Sequence, residues 1–280
     1  QRSRWQVTFR SWTRNRSAML GLAILVLLAV IAVAAPVIAP YNSRDGILAD
    51  RLAPPSRDHL FGADALGRDI FSRVVYGARI SFLSAIATVV GSAIIGTLIG
   101  LLAGFYGKWT DEILMRVTDA FFAFPSLVLA MAIAAMLGPS LRNALLAVAF
   151  VQWPIYARLI RGQVLGIRNL EYVEAASALG AGNGRLLFRH ILPNAFQPVM
   201  VQATLDMGVV LLITSGLSFI GFGAQEPTPE WGLLVSAGRQ YIMDQWWVSG
   251  FPGLAIFLMV MGFNLFGDGL RDLLDPRLRK

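Results

Sequence analysis

The segment from Ala18 to Ile38 contains no charged residue, and comparable apolar blocks recur along the chain. A soluble protein alternates apolar and polar residues at the helical or strand period, so blocks of this length indicate a lipid environment. About 20 helical residues, each rising about 1.5 Å, cross a hydrocarbon core about 30 Å thick. The apolar part of a secretory signal has only about 7–15 residues, so we interpret this block as a retained membrane anchor.

Five further apolar blocks are limited by charges, by glycine and proline, or by both. They are Ile80–Phe105, Phe121–Leu137, Leu141–Ala157, Val199–Phe222 and Phe251–Phe266. The sequence therefore predicts an all-α membrane protein with about six transmembrane helices. The turn Gly138-Pro139-Ser140 joins the third and fourth of them into a hairpin.

The distribution of lysine and arginine predicts the orientation of these spans. If the N-terminus is cytoplasmic, 16 of the 24 basic residues lie on the cytoplasmic side, which favours both termini inside. The predicted organisation is a cytoplasmic segment at 1–17, the first span at 18–38 and an extracytoplasmic segment at 39–79. A five-helix core at 80–280 follows, with a cytoplasmic loop at 158–195 and a cytoplasmic C-terminal tail.

Two predicted outer segments have features of the membrane surface. Ala65–Arg79 has the composition of an amphipathic helix that lies along the interface. The segment Gly223–Gly250 contains aromatic residues suited to the head-group level, namely Trp231, Tyr241, Trp246 and Trp247. Both segments either cap the bundle or contact something outside the membrane.

Composition excludes several kinds of chemistry. The chain has no cysteine and only His59 and His190, so we expect no disulfide, no thiolate nucleophile and no metal site. The net charge of +7 comes from basic residues at the ends of apolar blocks, where they face lipid head groups rather than nucleic acid.

The glycine-rich segments match no nucleotide-binding motif. Gly107-Lys108 is followed by Trp109, and no glycine lies five residues before Gly107, so the phosphate-binding loop pattern fails. The run Gly180–Gly184 begins like the dinucleotide fingerprint, but the next residue, Arg185, occupies the position of the third glycine of that fingerprint. We therefore predict no catalytic residue and no cofactor in this chain.

The predicted cytoplasmic loop is polar but patterned like structure. Glu171–Leu179 has good helix formers, Gly180, Gly182 and Gly184 predict a turn, and Arg185–Leu192 predicts a second helix that Pro193 ends. Small alanines beside exposed glutamates suit close docking against a partner.

The same loop carries a recognisable motif. Glu174-Ala175-Ala176, Gly180 and Leu192-Pro193 resemble the EAA loop of binding-protein-dependent ABC importer permeases. The run Arg189–Asn194, which contains His190, resembles the corresponding sequence in the peptide and nickel branch of this family. Stretches similar to the C-type subunit of that branch are Phe61–Asp64, Gly67–Asp69, Ser72-Arg73, Gly77–Arg79, Leu217–Gly223, Trp231-Gly232, Gly267–Asp272 and Asp275–Arg277, with Ala63 in place of the more usual threonine.

This resemblance implies an importer in the cell membrane of a prokaryote. Its partners would be a B-type permease, an extracytoplasmic substrate-binding protein and two cytoplasmic ATPase subunits that bind ATP and Mg. The substrates implied are dipeptides or oligopeptides, with nickel chelates, glutathione and oligosaccharides as alternatives within the branch. Contact with an ATPase subunit is expected at Glu174, Ala175, Ala176, Leu179, Gly180, Ala181, Leu192 and Pro193.

Two features inside the predicted spans bear on the mechanism. Gly96, Gly100 and Gly104 repeat every four residues, which predicts a flat face for close helix packing. Asp206 lies within the fifth span, where an ionised group costs about 2.5–3.5 kcal/mol on insertion scales. It lies either on the translocation path or against a neighbouring helix that satisfies it, and the sequence leaves both open.

Two other classes of membrane protein fit the sequence less well. A secondary transporter favours interrupted helices and midplane carboxylates in related halves, and we find no such repeat. An intramembrane enzyme needs clustered histidines and acids or paired aspartates within the spans, which are absent from the predicted blocks.

Overall fold

The computed structural model describes residues 15–274. Most of the predicted segment 1–17 and the end of the predicted C-terminal tail, with Asp275–Arg277, lie outside the described residues. Between residues 15 and 274 the regular structure is helical. The longer helices are α1 (Arg16–Ile38), α2 (Ile70–Tyr106), α3 (Lys108–Phe122), α4 (Ser126–Leu137), α5 (Leu141–Ile167), α6 (Glu171–Ala178), α7 (Gln197–Ile220), α8 (Trp231–Gly238) and α9 (Trp247–Leu274).

Short polar side chains begin several of these helices. Asn15 accepts a hydrogen bond from the backbone N–H of Ala18 at 3.1 Å at the start of α1, and Asp69 accepts one from Ser72 at 2.7 Å at the start of α2. Such caps satisfy backbone donors that have no partner within the helix. The helix α7 ends at Gly221, whose φ of 100° few other residues adopt readily.

Five helices, α1, α2, α5, α7 and α9, are long and apolar enough to cross a membrane. Together, α3 and α4 pass the same test as a sixth span that is bent by 91°. The prediction of an all-α protein with about six spans is therefore confirmed, and the chain is a multi-pass membrane protein.

The predicted third span, Phe121–Leu137, is wrong as a continuous helix. It is broken between Phe122 and Ser126, where Pro125 lacks a backbone N–H and disfavours helical geometry at Phe124. The 12 residues of α4 extend only about 18 Å, which is too short to cross the hydrocarbon core alone.

The predicted interfacial helix at Ala65–Arg79 is also wrong. From Ile70 onward these residues form the first turns of α2, which has 37 residues and a length of about 55 Å. Ser72 and Arg73 on these turns are buried because residues outside the membrane spans pack over them. The other predicted spans correspond to helices of the structure, although α5 continues beyond Ala157 to Ile167 and α9 begins at Trp247 and extends to Leu274.

Close packing between small residues holds the bundle together. A Cβ atom on Gly21 of α1 would lie 2.6 Å from the backbone nitrogen of Phe266 on α9, so these helices approach closely. The start of α1 meets the end of α9, where Asn15 donates a hydrogen bond to Asp272 at 3.2 Å. The two helices are therefore antiparallel, and the helix ends nearest both termini lie at the same end of the bundle.

The opposite end of the bundle is covered by two connecting segments, residues 39–69 and 221–246, which we call the cap. Trp231 of α8 is fully buried and donates a hydrogen bond from Nε1 to the carbonyl oxygen of Val74 at 2.9 Å. Phe61 stacks on Phe251 with ring centroids 4.0 Å apart. These contacts join the cap to the first turns of α2 and α9.

Candidate functional site

The EAA loop, residues 158–195, lies at the end of the bundle opposite the cap. Its first element after α5 is the short helix α6, which ends in a Schellman motif. The N–H of Gly180 donates to the carbonyl of Ser177 at 2.9 Å, and the N–H of Ala181 donates to that of Ala176 at 3.1 Å. Gly180 has a φ of 87°, a conformation that strains residues with a Cβ atom.

The chain then becomes helical again from Asn183 to Ala195. Within this stretch Leu186–Ile191 is π-helical, and the N–H of Leu192 donates to the carbonyl of Leu187. The prediction that Pro193 ends a helix is wrong. Pro193 lies in the first turn of the helical segment Leu192–Ala195, where its missing N–H is tolerated.

One side of the EAA loop packs against the spans. Val173, Leu186, Leu187 and Ile191 are buried in the same apolar cluster as Tyr156 of α5. The loop is therefore attached to the bundle through its own hydrophobic face.

The eight residues expected to contact an ATPase subunit divide into two groups. Ala176, Ala181 and Leu192 are half-buried and pack against the apolar cluster. Glu174, Ala175, Leu179, Gly180 and Pro193 are exposed, and Leu179 is 90% exposed. Sequence reasoning treated all eight alike, whereas the structure presents only the second group to solvent.

The exposed surface of α6 combines apolar and acidic side chains. Glu171 and Glu174 lie in its first turn, where the partial positive charge of the helix end stabilises carboxylates. Between residues 15 and 274 neither glutamate has an ion-pair partner. This part of the EAA loop thus exposes acidic side chains at the start of α6 and one large apolar side chain, Leu179, just after its end.

Sequence reasoning did not identify a set of arginines that connects the EAA loop to the spans. Arg161 binds Asp111 of α3 through two hydrogen bonds of 2.6 and 3.0 Å. Arg168 donates to the carbonyl oxygen of Gly104 at the end of α2, at 2.8 Å. One turn before Arg161, Arg158 binds Asp119 at 2.7 Å. The one-turn spacing of Arg158 and Arg161 on α5 was visible in the sequence, but their partners were not.

Gly96, Gly100 and Gly104 lie together on the face of α2 that contacts α5. A Cβ atom on Gly96 would lie 2.6 Å from the Cβ atom of Tyr156, and one on Gly104 would lie 2.8 Å from that of Val164. Both distances are too short for any side chain. The end of α5 that leads into the EAA loop is therefore held directly against α2.

Asp206 is buried within the bundle and is 5% exposed. One of its carboxylate oxygens accepts a hydrogen bond from Gln202 at 2.8 Å, and Tyr156 lies close enough to interact with it electrostatically. The structure thus brings this residue against α5 and not against the exposed residues of the EAA loop.

Comparisons with known proteins agree with this arrangement. Residues 96–280, which include the whole EAA loop, match the family model described as binding-protein-dependent transport system inner membrane component. Residues 3–55 match the N-terminal TM domain of oligopeptide transport permease C. The first match covers more than half of the chain.

The chain is also similar to named permeases. It is 47% identical to the dipeptide transport system permease protein DppC of Alkalihalophilus pseudofirmus, over 99% of this chain and 91% of the relative. It is 49% identical to the probable D,D-dipeptide transport system permease protein DdpC of Escherichia coli, over 91% and 85%. It is 43% identical to the glutathione transport system permease protein GsiD of Pectobacterium atrosepticum, over 99% and 93%.

A solved structure shares the fold. An inward-facing form of the MetNI methionine ABC transporter matches with a TM-score of 0.57 and 18% identity, over 72% of this chain and 97% of that chain. The resemblance to the C-type subunit that the sequence motifs indicated is confirmed by the family matches and by the relatives. The matched family is a transport component and not an enzyme, and this chain belongs to it, as an inner membrane component of binding-protein-dependent transport systems.

Proposed function

We propose that this chain and a B-type permease together form the path by which an ATP-driven importer moves peptides across the membrane. A separate extracytoplasmic protein would deliver the substrate, and two ATPase subunits, rather than this chain, would bind ATP and Mg. The observation that carries the proposal is the EAA loop, which has an exposed surface at Glu174, Leu179 and Gly180 and a buried face attached to the spans.

The proposed coupling is mechanical. The helix α6 docks in a cleft of an ATPase subunit, and closure of the two ATPases displaces α6 as a rigid body. Arg161 and Arg168 transmit this displacement to α3 and α2, because their hydrogen bonds connect the end of α5 to both helices. The path opens to the other side because the nucleotide binds the two states with different affinity.

The names of the relatives favour peptides as the substrate class. They refer to dipeptide, D,D-dipeptide, di/tripeptide and glutathione transport. This favours short peptides over nickel chelates or oligosaccharides as the substrate of this chain. Uptake of labelled dipeptides and longer peptides measures the preferred peptide length.

The proposed orientation places the EAA loop and both termini in the cytoplasm and the cap outside. The sequence has no cysteine, so each cysteine introduced by substitution reports the accessibility of its own position without background labelling. Cysteines at Ser56 and Ser236 in the cap should react with a membrane-impermeant thiol reagent added outside, and one at Ser177 in the EAA loop should not. The reverse labelling pattern would invert the orientation.

The coupling role is tested by changes at the exposed surface of the EAA loop. Gly180→Arg and Glu174→Ala should give membrane-inserted protein at near-normal levels, with peptide uptake and ATPase co-purification both strongly reduced. Asn183→Ser on the same loop is the control and should preserve both. Normal uptake and normal co-purification in Gly180→Arg would show that this loop is not the coupling element.

A further inference from the structure

A cleft of about 660 Å³ opens beside the cap, where the first span ends. Its walls come from the end of α1 at Pro36, from residues 39–44 after it, from the first turns of α2, and from Pro229. The helix α1 ends at Ile38, so the cleft lies at the level where the chain passes from hydrocarbon to the head-group region.

Two arginines and two tyrosines line this cleft, namely Tyr41, Arg44, Tyr76 and Arg79. Tyr76 and Arg79 are three residues apart on α2 and therefore share one face of the helix. The backbone N–H of Tyr41 donates to the hydroxyl of Ser72 at 3.2 Å, which fixes the segment after α1 against α2. The backbone N–H of Arg44 donates to Asn42, whose own side chain is engaged with Asp45.

Arg44 and Arg79 have no partner for their charges among the residues that the structure describes. Neither guanidinium has an ion pair or a hydrogen bond to any residue from 15 to 274. The buried arginines Arg68 of the cap and Arg73 of α2 are different, because they share the carboxylates of Asp64 and Glu226. The cleft thus contains two uncompensated positive charges.

The donor set defines the chemistry of a ligand. A guanidinium has five N–H donors and no acceptor, and it binds phosphate or carboxylate through paired hydrogen bonds. The two phenol hydroxyls can add further donors. Such a site favours an oxyanion and disfavours a cation or an uncharged polar group.

The surface one turn deeper in the membrane is apolar and exposed. Leu83 lies four residues after Arg79 on the same face of α2 and is 57% exposed. Val33 on α1, three residues before Pro36, is 81% exposed. An acyl chain attached to an oxyanion in the cleft would therefore meet hydrocarbon-compatible side chains directly below it.

We propose that this cleft binds the phosphodiester head group of an anionic phospholipid, with Arg44 and Arg79 as its cationic ligands and the exposed faces of α1 and α2 as the seat of the acyl chains. Basic sites between transmembrane helices are suited to anionic head groups, since each arginine near the membrane surface adds to the affinity. The site lies at the end of the bundle opposite the EAA loop.

The test uses the complex that contains this chain, purified from membranes. Native mass spectrometry would measure retention of phosphatidylglycerol and of phosphatidylcholine by the wild-type chain, by R44Q/R79Q and by R51Q/R57Q. Arg51 and Arg57 are the matched control, because both are exposed, lie in the same connecting segment as Arg44 and do not line the cleft.

We expect the wild-type chain to prefer phosphatidylglycerol, and R44Q/R79Q to retain it about tenfold less while R51Q/R57Q retains it normally. Equal retention by R44Q/R79Q and the wild type would overturn the proposal, as would equal retention of the two lipids by the wild type. Displacement of the lipid by millimolar inorganic phosphate would assign the cleft to a free anion instead. Loss of subunit assembly in R44Q/R79Q without lipid loss would assign it to a subunit interface.

Discussion

The cap and the EAA loop lie at opposite ends of the same bundle and differ in how their polar groups are satisfied. In the cap, Arg68 binds Glu226 at 2.6 Å and Asp64 at 2.7 Å. Arg73 at the start of α2 contacts the same two carboxylates, and both arginines of this cap cluster are buried. In the exposed part of the EAA loop, Glu174 has no ion-pair partner between residues 15 and 274, and Leu179 is almost fully exposed.

Under the proposed function, the chain itself completes the cap, whereas an ATPase subunit completes the EAA loop. A buried charge without a partner is strongly destabilising, and the chain itself supplies the carboxylates of Asp64 and Glu226 to both buried arginines, although Nε of Arg73 has no hydrogen-bond partner among residues 15–274. Exposed apolar and charged groups cost little in the isolated chain and become useful when another protein covers them. Substitutions in the cap should therefore affect stability, and substitutions on the exposed EAA surface should affect assembly.

The largest expected effect is on stability, in Trp231→Ala. This side chain is fully buried, and truncating a buried aromatic residue costs about 3–5 kcal/mol. Thermal denaturation of the purified chain should show a large decrease in Tm, while each folded molecule still binds ATPase subunits. Trp246→Ala, at a position 55% exposed in the same cap, should change Tm much less. Equal shifts for the two tryptophans would show that the cap is not packed as described.

Two glutamate substitutions, one in the cap and one in the EAA loop, should affect different properties. Glu226→Ala leaves the buried Arg68 and Arg73 with Asp64 as their remaining ion-pair partner. We expect a loss of about 1–3 kcal/mol of stability, reduced from the cost of a fully buried pair because Glu226 itself is 42% exposed. Glu174→Ala should leave Tm unchanged and weaken ATPase co-purification. The comparison fails if the two variants lose the same property.

The smallest expected effect is a pH dependence confined to the cap. Burial opposes the positive charge of His59, but the hydrogen bond to Asp69 at 2.9 Å and the ion pair with Asp50 at 3.5 Å outweigh it and raise the pKa of the imidazole. Because the folded-state pKa exceeds the unfolded value, the stabilisation is fully present below the unfolded pKa of about 6.5 and is lost as pH rises through the folded pKa.

Hydrogen exchange measures this effect locally. After correction for intrinsic exchange rates, amides near residues 59–73 should be better protected at about pH 5.5 than at about pH 8. His59→Gln should abolish this difference. His190→Gln, at the second histidine of the chain, should preserve it, and a pH dependence that survives in His59→Gln would assign the effect to another group.

The spans were the part of the fold most predictable from the sequence. Lipid requires an uninterrupted apolar helix, so the predicted Ala18–Ile38 and Val199–Phe222 lie within two residues of α1 and α7 at each end. The ends of α2 and α5 were not predictable, because Arg73 and Arg161 are accommodated by partners far away in the sequence. The helix break at Pro125 was missed because the block around it is continuously apolar. The proline was the one local sign of the break, since it disfavours a continuous helix.

The site was predictable in a different sense. The spacing of Glu174, Gly180 and Pro193 identified the EAA loop, and Gly180 was predicted to lie in a turn, where the structure gives it a positive φ. The division of the motif into exposed and half-buried residues depends on how α6 packs against the bundle, which no local pattern specifies. The connection from Arg168 to Gly104 likewise exists only in the folded chain.

The central claim is that the exposed surface of the EAA loop binds an ATPase subunit, and Leu179→Asp tests it most directly. Because Leu179 is 90% exposed, a charge there should leave the fold intact and remove an apolar contact from the proposed interface. Leu66→Asp, at an exposed leucine of the cap, is the matched control. We predict that co-purification of ATPase subunits with Leu179→Asp falls by about tenfold or more while Leu66→Asp behaves as wild type. Normal co-purification with Leu179→Asp would contradict the account.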